Sequence, residues 1–151
     1  MNDRQLTGNI GLFYTCYRLS LRNWNVMPTV RNAKGADIII VSTEGNMLGI
    51  QVKTLANEAD VFIGKNYKDP SVKFWVVLMN ARTSNQPLAY IIPAEDVRNG
   101  VESCNNGRNS DKDLVYRDNV KKADGSFTCY LNKKFLKGGA HSYGEAWEKI
   151  G

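Results

Sequence analysis

Two stretches built almost wholly of aliphatic residues carry three side chains that could do chemistry. Asp37 leads the run Ile38-Ile39-Ile40-Val41, and Gln51 and Lys53 flank Val52 directly after Ile50. An acid, an amide and an amine on buried strands cost free energy unless they pair or bind something. The chemistry on offer is ion pairing, hydrogen bonding or capture of a ligand. The plainer alternative is a salt bridge between Asp37 and Lys53 at a sheet edge, with Gln51 filling a hydrogen bond.

The spacing brings the three together if the two runs form a hairpin. With Thr43-Glu44-Gly45 as a three-residue loop and Gly45 left-handed, Ser42 pairs with Asn46. Counting back, Asp37 then falls opposite Gln51. Side chains alternate faces along a strand, so Gln51 and Lys53 share one face and Lys53 is the diagonal neighbour of Asp37, about 7–8 Å away. A two-residue loop would send Asp37 to the other face, so the convergence depends on Gly45.

The elements that must hold this corner follow from periodicity. From Asp3 to Leu21, Leu6, Ile10, Phe13, Tyr14, Tyr17 and Leu21 recur every three or four residues, which predicts a helix with one apolar face. Gly8 and Gly11 within it cost helix stability, so its backbone is expected to approach a neighbour closely, a sheet being the candidate. Strands are predicted at Trp24 to Val30, Ala36 to Ser42, Met47 to Leu55, Lys73 to Asn80 and Leu88 to Ile92. Between them, Ala56 to Lys73 reads as a mixed stretch. Pro93-Ala94-Glu95-Asp96 opens a helix, with proline and acids in its first turn. The chain is then loop-rich to Ser126, with a last strand from Phe127 to Leu131 and a closing helix from Tyr143 to Ile150 that turns Trp147 inward. The order predicts a mixed α/β, or α+β, domain with helices packed against one sheet.

Composition narrows the function classes. The chain of 151 residues fits one domain, residues 1–151, with a real core. No stretch approaches the roughly 18 apolar residues of a membrane span, and the polar start predicts no secretory signal peptide. Cys16, Cys104 and Cys129 form neither a disulfide framework nor a zinc cluster, and read as reduced thiols of a cytoplasmic protein. A histidine-dependent triad would rest on His141, the sole histidine. The net charge of +5 favours anionic partners without naming one. Arg31 and Lys34, on the loop before Asp37, either grip a phosphate or solubilise a turn. Lys65 and Lys68 around Tyr67 either touch a nucleic-acid backbone or belong to a solvated loop, and the basic stretch from Arg117 to Lys137 is open to both readings. Trp24, Trp75 and Trp147 sit in apolar elements and read as core.

The ordered set of a helix, Gly35-Ala36-Asp37 leading an aliphatic strand, and a hairpin into Gly49-Ile50-Gln51-Val52-Lys53-Thr54 resembles the PD-(D/E)XK nuclease superfamily. The likeness covers about Thr7 to Thr54, with Phe74 to Leu78 continuing the central sheet. It is nearest to the Holliday-junction-resolvase-like and restriction or homing endonuclease branches, where Gln-x-Lys replaces Glu-x-Lys in some members. The resemblance implies a restriction-endonuclease-like core, a mixed sheet of about five strands flanked by helices. It also implies hydrolysis of DNA phosphodiester bonds with magnesium or manganese. Asp37 and the side-chain oxygen of Gln51 would bind the cation, while Lys53 would orient or help deprotonate the attacking water. Arg31, Lys34, Lys65 and Lys68 would contact the nucleic acid, and a homodimer would match two strands to two sites. One feature departs from the pattern. Where many relatives carry a glutamate after Gly-x-x-Gly in the first helix, Gly8-Asn9-Ile10-Gly11 is followed here by Leu12. Asp3, Glu58 and Asp60 could fold back to supply an acid, though nothing in the sequence demands it. The alternative is a nuclease-fold protein that binds nucleic acid or a protein partner without hydrolysis.

Overall fold

A computed structural model describes residues 2–30, 35–138 and 143–151. Arg31, Lys34 and His141 lie outside the described residues. The first helix, α1 (Asp3–Leu21), starts where the Asn2 side chain accepts a hydrogen bond from Gln5 N at 2.8 Å, satisfying one of the free amides of its first turn. It ends at Arg22, and Asn23 reverses the chain with φ of 68°.

Most of the large apolar residues that set the periodicity of α1 do not face the core, although Leu19 is buried in it and Leu12 and Tyr14 pack against it. Its buried positions are Thr7, Gly11, Thr15, Cys16 and Leu19, whereas Ile10, Phe13, Tyr17 and Leu21 are exposed. Close approach decides the orientation. A Cβ at Gly11 would lie 1.7 Å from Thr54 Oγ1, so the helix backbone rests directly on the third strand through its small-residue side. The close approach anticipated from the glycines is thus made by Gly11, while Gly8 opens onto free space.

The main sheet contains β1 (Asn25–Pro28), β2 (Ile38–Val41), β3 (Met47–Thr54), β5 (Val72–Met79) and β6 (Leu88–Pro93) in the order β1-β2-β3-β5-β6. β1, β2 and β3 form an antiparallel meander, β3 and β5 run parallel, and β6 returns antiparallel to β5. The connection between the parallel pair contains β4 (Val61–Ile63) and a 3-10 turn, Lys65–Lys68. A second sheet, β4-β8-β7, brings in β7 (Val115–Lys121) and β8 (Phe127–Leu131). The remaining helices are α2 (Ala94–Asn105) and the short α3 (Lys133–Lys137).

Two apolar layers result, one on each side of the main sheet. Ile38, Ile40, Ile50, Val76, Leu78 and Ile91 pack under α1 and the C-terminal Trp147. Trp75, Val77, Met79 and Ile92 pack on the opposite side under α2 and the second sheet. β5 is buried along most of its length because both of its faces are covered.

Of the second sheet, local pattern marked β8 at Phe127–Leu131 but missed its two partners. β4 has three residues inside the mixed stretch, and β7, Val-Tyr-Arg-Asp-Asn-Val-Lys, lacks an aliphatic run. The closing helix is reduced to a 3-10 turn, Trp147–Lys149, although Trp147 does turn inward and is buried. The preceding Glu145 takes a left-handed φ of 52°, which no continuous helix accommodates.

Gly11→Ala is expected to cost about 1–3 kcal/mol, because a methyl group there overlaps Thr54. Gly8→Ala, with nothing within 4 Å of the added carbon, should instead stabilise by up to about 1 kcal/mol through helix propensity. Urea denaturation of the two variants checks the contrast.

Candidate functional site

The hairpin forms in the register that its loop glycine requires. Gly45 has φ of +90°, Ser42 N donates to Asn46 O at 2.9 Å, and the ladder runs back to Ile38 opposite Ile50. Asp37 comes next, just outside β2. Its own amide donates to Ile50 O at 2.9 Å, so strict pairing stops at Ile38 rather than continuing to Asp37 and Gln51.

β3 outruns β2 at this point, and its edge amides lose their backbone partners. The Asp37 carboxylate replaces them: Oδ2 accepts from Val52 N at 2.8 Å and from Gln51 Nε2 at 2.9 Å. Thr29 fixes the backbone beneath it. The Thr29 hydroxyl donates to Ala36 O at 2.9 Å and Asp37 O at 3.1 Å, and Thr29 N donates to Asp37 O at 2.9 Å. Sequence reasoning passed over Thr29, since a lone threonine at a strand end gives no periodic signal.

Gln51 is only 5% exposed, and with its amide nitrogen committed to Asp37 its oxygen Oε1 has no hydrogen-bond partner. Such an orphaned buried acceptor costs about 1–3 kcal/mol. Lys53 follows two residues on along the same strand. Its ammonium lies 5.8 Å from the centre of the Trp75 ring. Lys53 acts on Asp37 through space, since neither forms either of the ion pairs found among the described residues, Arg18–Glu145 and Lys137–Glu58.

Burial pushes the Asp37 carboxyl above the usual carboxylate range, against the Val52 amide and the Lys53 charge, which pull it down. Burial likewise pushes the Lys53 ammonium below its ordinary value, with Asp37 opposing. In both groups the same desolvation disfavours the charged form. A cation bound at Asp37 would relieve it there.

Asp37, Val52, Lys53 and Thr54 open onto a cleft of about 440 Å³. Its far wall is α1, through Gly8, Asn9 and Leu12, and Asn66 of the 3-10 turn reaches its rim. Leu12 therefore places carbon, not an acid, in the cleft. Glu58 and Asp60 are occupied elsewhere. Glu58 accepts from Lys137 Nζ at 2.6 Å and from Asn80 at 3.2 Å, while Asp60 takes Tyr116 OH and, at 2.9 Å, Lys133 N. Asp3 lies exposed in the first turn of α1.

Lys65 and Lys68 share the 3-10 turn with Asn66 but border another cleft, of about 540 Å³, facing Lys122, Phe127 and Val101. Arg117 in the basic stretch is structural: its guanidinium lies 3.8 Å from the Phe127 ring centre and donates to Cys104 O at 3.2 Å. Cys16, Cys104 and Cys129 are free and buried, and Trp75 and Trp147 are core residues. Trp24, half-buried, packs against the α1 side.

Asp37 and Gln51 present oxygen donors suited to a hard divalent cation, and the unpartnered Gln51 Oε1 is the atom such a cation would satisfy. Among the described residues no cluster of three or more histidine, cysteine, aspartate or glutamate side chains could hold a metal. A cation here would keep several waters or take ligands from a substrate, as magnesium commonly does.

The architecture is a nuclease-like α/β fold, with a five-stranded mixed sheet flanked by helices. A bacterial homing endonuclease, I-Ssp6803I, shares it with a TM-score of 0.61 at 17% identity, over 99% of this chain and 92% of that one. No family model and no curated protein matches the chain. Among the described residues, no helix is long and apolar enough to cross a membrane.

The shifts carry signs that denaturation can test. Folded Asp37 holds its proton to higher pH than the unfolded chain does, so its contribution to stability falls as pH rises from the ordinary carboxylate value through the raised one. Folded Lys53 loses its proton earlier, so its contribution recovers as pH rises from its lowered value toward the ordinary lysine value. The variant Asp37→Asn is expected to lack the acid-side slope. The double variant Asp37→Asn with Lys53→Met should melt at least a few degrees above the native chain, since neutral groups avoid the desolvation cost.

Proposed function

We propose that this protein hydrolyses DNA phosphodiester bonds at the Asp37 cleft as a nuclease of the PD-(D/E)XK type in its Gln-x-Lys form. Asp37, Gln51 and Lys53 are its catalytic residues, and the 151 residues act as one nuclease-like domain. The observation that carries the reading is the corner itself. The Asp37 carboxylate holds the Gln51 amide, whose oxygen has no partner, where β3 outruns β2, and Asp37 and Lys53 both line an open cleft. The fold shared with a homing endonuclease supports the same substrate class.

Asp37 and Gln51 Oε1 would hold magnesium or manganese, which polarises a phosphoryl oxygen and lowers the pKa of bound water. Gln51 Nε2 holds the Asp37 carboxylate in place, so one side chain both positions the acid and offers an oxygen. Lys53, lowered by burial and seated over Trp75, stabilises the negative charge gained as water attacks the phosphate. In its neutral fraction it can also take the proton of that water. Arg31, Lys34, Lys65 and Lys68 would contribute positive charge toward a nucleic acid, with Lys65 and Lys68 acting beyond the cleft rather than inside it.

Incubation with supercoiled, branched and single-stranded DNA in magnesium or manganese is expected to give nicked or cut products, abolished by a chelator. Lys53→Ala and Asp37→Ala should each lower the rate by about 10²–10³ or more. Salt-sensitive DNA binding without cleavage in either metal, or cleavage unaffected by Lys53→Ala, would overturn the mechanism. Because Leu12 lines the cleft, Leu12→Glu should tighten manganese binding roughly tenfold, as read by titration calorimetry without DNA.

A further inference from the structure

Alternation along β4 turns Val61 and Ile63 into the core and Phe62 outward, where it stays 54% exposed on the edge strand of the second sheet. The ring meets Tyr130 edge to face at 6.3 Å and also lines the cleft of about 540 Å³ that lies apart from Asp37. Half-buried Tyr67 and Phe127 join it in that cleft, with Val101 and Cys129 adding to the apolar lining. The volume is within the range of small-ligand sites, about 300–1,000 Å³.

The charged groups around this lining are mostly cationic. Lys65 and Lys68 come from the 3-10 turn and Lys122 from the turn between β7 and β8. Asp124 is the acid in the cleft, and Ser126 already occupies it: Oδ1 accepts from Ser126 N at 2.9 Å and from Ser126 Oγ at 2.6 Å. Those bonds, and then Lys122 and Lys65, hold Asp124 below the usual carboxylate range, so lysines from both walls come within electrostatic reach of one carboxylate. An adjoining cleft of about 450 Å³ shares Tyr67, Lys68 and Asn105 and adds Arg98 and Glu102. Arg98 Nη1 has no hydrogen-bond partner among the described residues. Lys65, Lys68, Lys122 and Arg98 thus face Asp124 and Glu102, and none of the four belongs to either ion pair found among the described residues.

Aromatic walls under a cationic rim fit one ligand class. A nucleobase stacks on aromatic rings whatever its sequence, while its phosphates are drawn to lysine and arginine. The base must be unpaired, because within a duplex its faces are covered by neighbouring base pairs. Position points the same way. Asn66, between Lys65 and Tyr67 in the chain, reaches the rim of the Asp37 cleft, so one short turn separates the two clefts.

We propose that the cleft between the 3-10 turn and the β7–β8 turn captures an unpaired nucleotide of a DNA strand, with its base against Phe62 and Tyr67 and its phosphates on Lys65, Lys68 and Lys122. The choice of DNA rests on the nuclease reading, whereas the capture itself needs neither metal nor cleavage. It directs the Asp37 cleft toward DNA that carries an unpaired residue near the bond to be cut.

Fluorescence anisotropy with the full chain in a chelator, where no metal-dependent cutting runs, tests the capture by itself. The probes are a labelled DNA duplex and the same duplex with one bulged nucleotide. The bulged duplex is expected to bind about tenfold more tightly than the paired one. Phe62→Ala should remove most of that difference and leave the affinity for the paired duplex within about twofold, while Phe62→Trp, which keeps a stacking ring, should preserve it. Lys65→Ala and Lys122→Ala should weaken binding of the bulged duplex and flatten its dependence on salt. Equal affinity for the two duplexes overturns the proposal, as does a preference that survives Phe62→Ala. Displacement of the bulged duplex by micromolar thymidine monophosphate overturns it too, since the cleft would then be a site for free nucleotides. The two readings fail separately: bulge preference in chelator without cleavage in magnesium or manganese upholds the capture and sinks the nuclease, and cleavage without bulge preference does the reverse.

Discussion

The two hydrogen bonds accepted by Asp37 Oδ2 are the constraint on which the candidate site depends. Where β2 stops and β3 continues, Val52 presents an amide with no backbone acceptor, and a carboxylate fills the gap. Filling it draws Asp37 against Gln51, orients the amide, and leaves Gln51 Oε1 buried and without a partner. The same placement takes Asp37 and Lys53 partly out of water, so neither ionises as it would in solution. A corner that buries an unpartnered acceptor and two ionisable groups is the kind of local conflict expected at functional sites.

The rest of the molecule keeps that corner rigid and open. α1 lies close enough on β3 that Gly11 admits no side chain, and this contact sets the α1 wall of the cleft. On the far side the second sheet is tied in by Asp60, which bridges the start of β4 to Tyr116 of β7 and to the start of α3. Burial and that hydrogen bond push the Tyr116 hydroxyl up to about 12, so it stays protonated and donates throughout the physiological range. Asp60, readable in sequence as a spare acid for the site, is instead a joint between layers.

How much could be read in advance depended on the range of the interaction. The hairpin register was legible because it follows from loop length and the left-handed freedom of Gly45, both local. The aliphatic strands β2, β3, β5 and β6 were legible for the same reason, and so was the nearness of Asp37 and Gln51. β4 and β7 were not. The pairing of β4 with β8 joins segments far apart in the chain, and β7 carries four polar residues in seven. The orientation of α1 was also hidden, because periodicity reports that a helix has an apolar side without saying which side meets the sheet.

By itself the sequence determined the hairpin register and that Asp37 and Gln51 lie together on it, since alternation and turn geometry act within about fifteen residues. Only the tertiary structure decided that the Asp37 carboxylate serves as a backbone substitute, that Leu12 rather than an acid faces it, and that α1 turns its aromatic side outward. Each of these is a competition between surfaces distant in the chain. Close packing of glycine against threonine outweighs burial of the larger side chains, and no local pattern records that balance.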